Sequence, residues 1–167
     1  MTLAPFARGA VTFLVHSTFV GAITGRAPVA QAGFTGSDLG QVRGWAVVRV
    51  ADMQTGNRTR DRHLREALEA DSAATIRFDL DSVASASRRG DSLDVTLAGR
   101  LTVHGVTRAV DASGVLVLTP GGEDVNATFA LDMRDYGVKP PVRAVVLRVS
   151  PQVTVTVHLA FELAPSP

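Results

Sequence analysis

Hydrophobic and polar residues alternate along most of this chain with a period of two. In the segment 92–103 the hydrophobic positions that share one face are Leu93, Val95, Leu97, Leu101 and Val103. In the segment 153–163 they are Val153, Val155, Val157, Leu159, Phe161 and Leu163. The shorter segments 75–80 and 126–132 repeat the pattern. Such alternation over strand-length segments is typical of β-strands that bury one face.

Turn-forming sequences separate these segments, among them "GFTGSDLG", "SRRGDS", "HG" and "TPGGED". Only "RTRDRHLREALEA" has helical spacing, with Leu64 and Leu68 one turn apart and Asp61 as the expected N-cap. About eight strands and one short helix predict an all-β fold, an eight-stranded antiparallel lipocalin-like barrel. The length of 167 residues fits a single domain, 1–167.

Composition and charge exclude several classes of function. The formal net charge is +1 and no stripe of Lys and Arg is present, so we expect no nucleic-acid partner. The chain has no cysteine, which rules out thiol catalysis, disulfides and thiolate metal sites. No run approaches the roughly 18 apolar residues of a membrane span. "MTLAPFARGA" lacks the features of a signal peptide. We expect a cytoplasmic protein as the chain stands, or a periplasmic, exported one if a leader was removed.

The sequence contains no recognisable catalytic or metal-binding motif. The histidines, His16, His63, His104 and His158, are not spaced as paired zinc ligands on a helix or a strand, so no metal site is predicted. No GxSxG motif and no glycine-rich phosphate loop follows a predicted strand. The His104-Gly105 pair is expected at a hairpin corner with a structural role. We therefore expect a protein that is not an enzyme and has no cofactor.

The inward faces of the predicted strands are the candidate binding surface. The expected lining residues are Phe13, Val15, Phe19, Ile23, Ile76, Phe78, Leu97, Leu101, Phe129, Leu131, Val155 and Val157, with Tyr136 near one end. Aromatic residues make up only 5% of the chain, and small Val and Ala side chains span a wide barrel poorly, which favours a cavity. The alternative is a barrel that these same side chains fill completely.

The charged residues of the predicted helix allow two interpretations. Most simply they form a solvated polar face. Alternatively, Arg60 or His63 closes one end of the barrel and contacts an anionic or polar head group, since the planar guanidinium of arginine suits phosphate.

Several blocks resemble the YceI-like family. They are "RDRHL", then "ATIRF", then "GRLTVHGVTR", and finally "MRDYGV", in that order. The similarity extends from about Val11 to Leu163, and "GRLTVHGVTR" is its most specific part. The resemblance implies a lipocalin-like barrel that holds a long isoprenoid lipid, such as a polyprenyl phosphate or a prenyl quinone. It also implies frequent export and a homodimer.

These observations lead to one leading hypothesis and two alternatives. The leading hypothesis is a non-catalytic protein that binds or carries an isoprenoid-type lipid inside the barrel. The second is a lipid-modifying enzyme that uses polar residues at the barrel mouth. The third is a filled barrel that acts as an interaction module.

Overall fold

Eight antiparallel strands close into a barrel in the computed structural model, which describes residues 6–17, 21–35, 40–139 and 149–162. The strands are β1 (Phe6–Ser17), β2 (Gly21–Thr35), β3 (Arg43–Arg49), β4 (Thr75–Arg89), β5 (Ser92–Val103), β6 (Val106–Thr119), β7 (Gly122–Asp132) and β8 (Val149–Glu162). Each pairs with its neighbour in sequence, and β1 pairs with β8 to close the barrel. One α-helix, α1 (Arg58–Ala67), follows β3. The predicted all-β barrel of eight antiparallel strands with one short helix is confirmed.

The alternating pattern decides which side chains face the interior. Antiparallel partners point to the same side of a sheet, and Phe13 of β1 and Phe129 of β7 both pair with Val155 of β8. All three side chains are buried. The intervening residues Thr154 and Thr156 face outward and are exposed. The hydrophobic core is therefore the interior of the barrel.

Two glycines of the inner face leave room for aromatic rings. A Cβ atom at residue 25 would lie 1.8 Å from the ring of Phe13, and one at residue 99 would lie 2.5 Å from the ring of Phe78. Each ring thus occupies the space that a side chain at the glycine position would need. Gly99 pairs with Leu80, just before a register shift in β4. The strand needs glycine here because a Cβ atom would meet both the ring of Phe78 and the backbone oxygen of Asp79, each at 2.5 Å.

The start of α1 differs from the sequence-based expectation. The helix begins at Arg58, and the side chain of Asn57 caps it by accepting a hydrogen bond from the backbone N–H of Arg60 at 3.0 Å. The prediction that Asp61 is the N-cap is wrong, because the N-cap is Asn57, four residues earlier. Asp61 instead accepts hydrogen bonds from the backbone N–H and the hydroxyl of Thr55, at 2.7 and 2.6 Å. These bonds, the hydroxyl first, lower the pKa of the Asp61 carboxyl below its usual range.

The His104-Gly105 hairpin joins the elements at the α1 end of the barrel. Both residues have positive φ, 54° and 74°, as a tight two-residue turn between β5 and β6 requires. The Nδ1 atom of His104 lies 3.1 Å from the carbonyl oxygen of Tyr136, and its Nε2 atom lies 2.6 Å from a carboxylate oxygen of Glu69. Tyr136 ends a 3-10 helix after β7, and Glu69 follows α1. These contacts are those of a structural corner.

Candidate functional site

The interior of the barrel contains a cavity of about 310 Å³. All eight strands and α1 contribute to its wall. At the end opposite α1, the rings of Phe34 and Phe161 pack edge to face, with centroids 4.8 Å apart, and neither residue lines the cavity. The cavity therefore extends from α1 into the barrel and stops short of the opposite end.

The structure brings nearly all of the predicted lining residues to the wall of this one cavity. They are Phe13, Val15, Ile23, Ile76, Phe78, Leu97, Leu101, Phe129, Leu131, Tyr136, Val155 and Val157. Phe19 lies outside the described residues. The head-group candidates Arg60 and His63 also lie on the wall, both from α1. That these residues bind a ligand stays a prediction.

Two phenylalanines meet across the interior. Phe78 belongs to β4 and Phe129 to β7, strands that are not neighbours in the barrel. Their ring centroids are 6.3 Å apart and the planes are inclined by 21°. The two rings therefore approach each other closely across the interior of the barrel.

Sequence reasoning missed further wall residues, which fall into two groups. The first group lies on the inward faces of strands: Val11, Ala27, Ala46, Val48, Val103, Ala112, Val125, Ala127, Val153 and Leu159. The alternation of hydrophobic and polar residues could have identified most of them as inward-facing. In β3 it could not, because the residues of both faces are hydrophobic. The second group comes from α1 and the connecting segments: Met53, Thr55, Leu64, Ala67, Leu68, Met133 and Val138. Of this second group, the sequence pattern indicated only Leu64 and Leu68, whose spacing predicts an apolar face of the helix.

Polar groups on the wall are few and lie near α1. The Nε atom of Arg60 is buried and has no hydrogen-bond partner among the described residues. His63 is 8% exposed. The hydroxyl of Thr55 donates to Asp61. Tyr136 is buried, and desolvation raises the pKa of its phenol. No Asp or Glu lines the cavity in the described part of the chain, so its one permanently charged wall residue is cationic.

The described ranges contain neither a metal-binding cluster nor a helix that could span a membrane. No group of three or more His, Cys, Asp or Glu side chains there is arranged to hold a metal ion. Among the helices of those ranges, none combines the length and the apolar character that a membrane crossing requires.

Comparison with known proteins identifies a family and several similar folds. The model of the YceI-like domain family matches residues 2–161. No curated protein is significantly similar to the chain. BcnA of Burkholderia cenocepacia superposes with a TM-score of 0.74 at 14% identity, over 91% of this chain and 95% of that one. A polyisoprenoid binding domain from Saccharophagus degradans, implicated in plant cell wall breakdown, gives 0.72 at 15% identity, over 96% and 99%.

A YCEI protein of Campylobacter jejuni is also similar, with a TM-score of 0.57 at 15% identity, over 88% of this chain and 89% of that one. At these identities the superpositions show a shared fold. They agree with the barrel that the strand register defines.

Proposed function

Because the chain belongs to the YceI-like domain family, we propose that it binds a long, apolar isoprenoid-type lipid inside its barrel. The observation that carries this proposal is the cavity of about 310 Å³, whose wall is hydrophobic except for a few polar groups near α1. Pockets of this size and character hold small apolar ligands. The likeness to a polyisoprenoid binding domain supports an isoprenoid as the class of ligand.

The physical basis of binding is burial of the hydrocarbon tail. Each buried CH₂ contributes about 0.8 kcal/mol, so an isoprene unit of five carbons contributes about 4 kcal/mol. The loss of translational and rotational freedom on binding costs roughly 4–15 kcal/mol. A tail of several units therefore binds without any specific polar contact. The rings of Phe78 and Phe129, 6.3 Å apart, restrict the space beside them, so a slim tail fits better than a bulky one.

The head group belongs, in this proposal, at α1. Arg60 and His63 are on the wall there, one helical turn apart. Arginine donates readily to phosphate oxygens, and either residue can donate to a quinone carbonyl. A polyprenyl phosphate and a prenyl quinone are both compatible with these donors.

We propose that the protein carries its lipid without chemically changing it. No carboxylate lines the cavity wall in the described ranges, so the pair of acidic and basic groups that many hydrolytic sites use is not assembled there. The filled-barrel alternative required an interior without a void, and a cavity is present. A lipid-modifying enzyme remains the competing hypothesis. Turnover of a prenyl lipid that disappears in a folded His63→Ala variant would establish it.

Three further expectations complete the proposal. The chain acts as one domain, 1–167, since a single barrel accounts for all the described strands. We expect it to form a homodimer that buries Leu118, the more exposed of the two large hydrophobic side chains found at the surface of the described residues. Its place of action is the periplasm when it is exported and the cytoplasm otherwise.

A chain-length series tests the binding proposal. Geraniol, farnesol and geranylgeraniol share one head group and differ by one isoprene unit at each step. Calorimetric titration is expected to show saturable 1:1 binding of geranylgeraniol and a loss of more than tenfold in affinity for each unit removed. Affinities that do not depend on tail length, or no saturable binding of any of the three, would contradict the proposal.

A further inference from the structure

Two phenylalanines occupy the next inward positions below the cavity wall, at the end of the barrel opposite α1. On β8 the inward residue Leu159 lines the cavity, and Phe161, the next inward residue, does not. On β2, Phe34 comes two residues after Ala32, which pairs with the wall residue Ala46. The rings of Phe34 and Phe161 pack edge to face, with centroids 4.8 Å apart. We call this pair of rings the floor of the cavity.

A second space lies beyond the floor. On β3 and β4, the paired residues Ala46 and Phe78 line the cavity. The next inward pair on the same strands, Gly44 and Leu80, lines a separate depression of about 330 Å³. Phe34 also lines this depression. The depression has charged side chains in its wall: Arg43, Asp79, Asp81 and Arg100. The ring of Phe34 therefore separates the apolar cavity from a polar space at the surface.

From this arrangement we infer that the floor selects ligands by the length of their tail, and that Phe34 sets the limit. The inference rests on the proposed function, since it takes as given an isoprenoid tail that extends from α1 into the barrel. It goes further because it distinguishes long isoprenoids from shorter ones with the same head group.

The length of the wall gives the expected limit. Along β8 the wall runs from Val153, near α1, to Leu159, which is about 20 Å at about 3.3 Å per residue. An extended chain advances about 1.2 Å per bond, so an isoprene unit with four bonds along its chain spans about 5 Å. A tail that follows the wall therefore reaches the floor with about its fourth unit.

A longer tail gains little from its additional units. Burial of apolar surface drives the binding, so units that stay in water outside α1 add almost nothing to the affinity. To pass the floor, the tail would have to displace the ring of Phe34 and cover the charged side chains of the depression, which is unfavourable. The affinity should therefore rise with each unit until the tail reaches the floor, and then stop rising.

Prenyl alcohols with two to six isoprene units test this inference in wild-type protein. The head group is the same throughout, and a fixed concentration of cyclodextrin keeps the longest alcohols monomeric. We expect the affinity to rise more than tenfold with each unit up to geranylgeraniol, which has four. The fifth and sixth units should change it by less than threefold.

Variants locate the limit in the floor. In Phe34→Ala the fifth unit is expected to raise the affinity tenfold or more over that for geranylgeraniol, because the tail can then extend past the missing ring. Phe78→Ala is the matched control, since it removes the same ring from the cavity wall and changes the width of the cavity but not its depth. Its limit should stay at four units. Circular dichroism and thermal unfolding show whether each variant folds.

The outcomes separate the limit on length from lipid binding itself. If the affinity of wild-type protein keeps rising tenfold with the fifth and sixth units, the floor sets no limit and the proposed lipid binding stands. This comparison needs no variant, so it holds even where Phe34→Ala does not fold, and Phe34→Leu then provides a milder truncation with the same expected direction. A folded Phe34 variant that keeps the wild-type limit overturns the assignment to Phe34. If none of the alcohols binds, the proposed function itself fails.

Discussion

Filling the cavity with a side chain should abolish lipid binding while leaving the barrel folded. Ala127 of β7 is 9% exposed and lines the cavity. Its partner on β6 is Gly114, so no side chain occupies the neighbouring inward position on that strand. The Ala127→Phe substitution therefore places a phenyl ring in space that the tail of a ligand would use.

The magnitude follows from the carbons that the ring displaces. A phenyl ring takes the place of about six ligand carbons, and at about 0.8 kcal/mol for each buried CH₂ the loss is about 5 kcal/mol. Since 1.4 kcal/mol corresponds to tenfold, the affinity should fall by about 10³-fold to 10⁴-fold. If the tail of the ligand shifts toward α1, part of the lost binding free energy is recovered. We therefore expect the affinity to fall by at least 100-fold. Strain from the added ring should lower the stability by about 1–3 kcal/mol at most.

Ala130→Phe is the matched control, because Ala130 is exposed on the outer face of the same strand. Binding of geranylgeraniol is measured by titration calorimetry, and the free energy of unfolding by urea denaturation. Ala130→Phe should bind as wild type does. If Ala127→Phe folds and still binds geranylgeraniol within threefold of wild type, the ligand does not occupy this cavity.

Three other substitutions test separate parts of the account. Gly99→Ala should lower the free energy of unfolding by about 1–3 kcal/mol, because the added Cβ atom meets a ring and a backbone oxygen at 2.5 Å; Gly121→Ala, where the Cβ atom meets nothing within 4 Å, should change it little. Asp61→Asn should be less stable than wild type above about pH 4, the usual pKa of a carboxyl. That difference should vanish as the pH falls through the lowered pKa of Asp61, because protonation breaks the charged bonds from Thr55. A difference that is independent of pH would contradict this role. Leu118→Asp should convert a dimer to a monomer in light scattering, and a wild-type monomer would remove the dimer expectation.

The sequence was most informative where one face of a strand is buried along its whole length. In β8 the alternation is unbroken and in β5 only Gly99 interrupts it, so the inward positions Val155, Val157 and Leu101 followed directly from the pattern. Any other register would have exposed these side chains to water. In β3 both phases are hydrophobic, and only the pairing of Ala46 with Phe78 shows which one faces the cavity.

Local sequence was a weaker guide to the N-cap of α1 and to the irregular segments that line the cavity. Both Asn57 and Asp61 are good capping residues, and the choice between them depends on Thr55, whose N–H and hydroxyl are placed to bond Asp61. That placement is a tertiary contact which propensity does not encode. Met53 and Val138 reach the wall from irregular segments for the same reason.

The charge environment of Arg60 was only partly readable from the sequence. The helix contains several arginines and acidic residues, and the sequence alone does not show which of them pair. Folding pairs the Asp61 carboxylate with Thr55 and buries the Nε atom of Arg60 at the cavity. The pairing of charges is thus set by the three-dimensional arrangement.

The most direct test of the central claim is the chemical identity of what the barrel holds. Protein purified from its own host without detergent is extracted with organic solvent, and the extract is analysed by mass spectrometry beside an extract of Ala127→Phe protein. The account predicts an isoprenoid lipid in near-stoichiometric amount from wild type and its loss from the variant. A wild-type extract free of lipid, from protein that also fails to bind geranylgeraniol saturably, would contradict it.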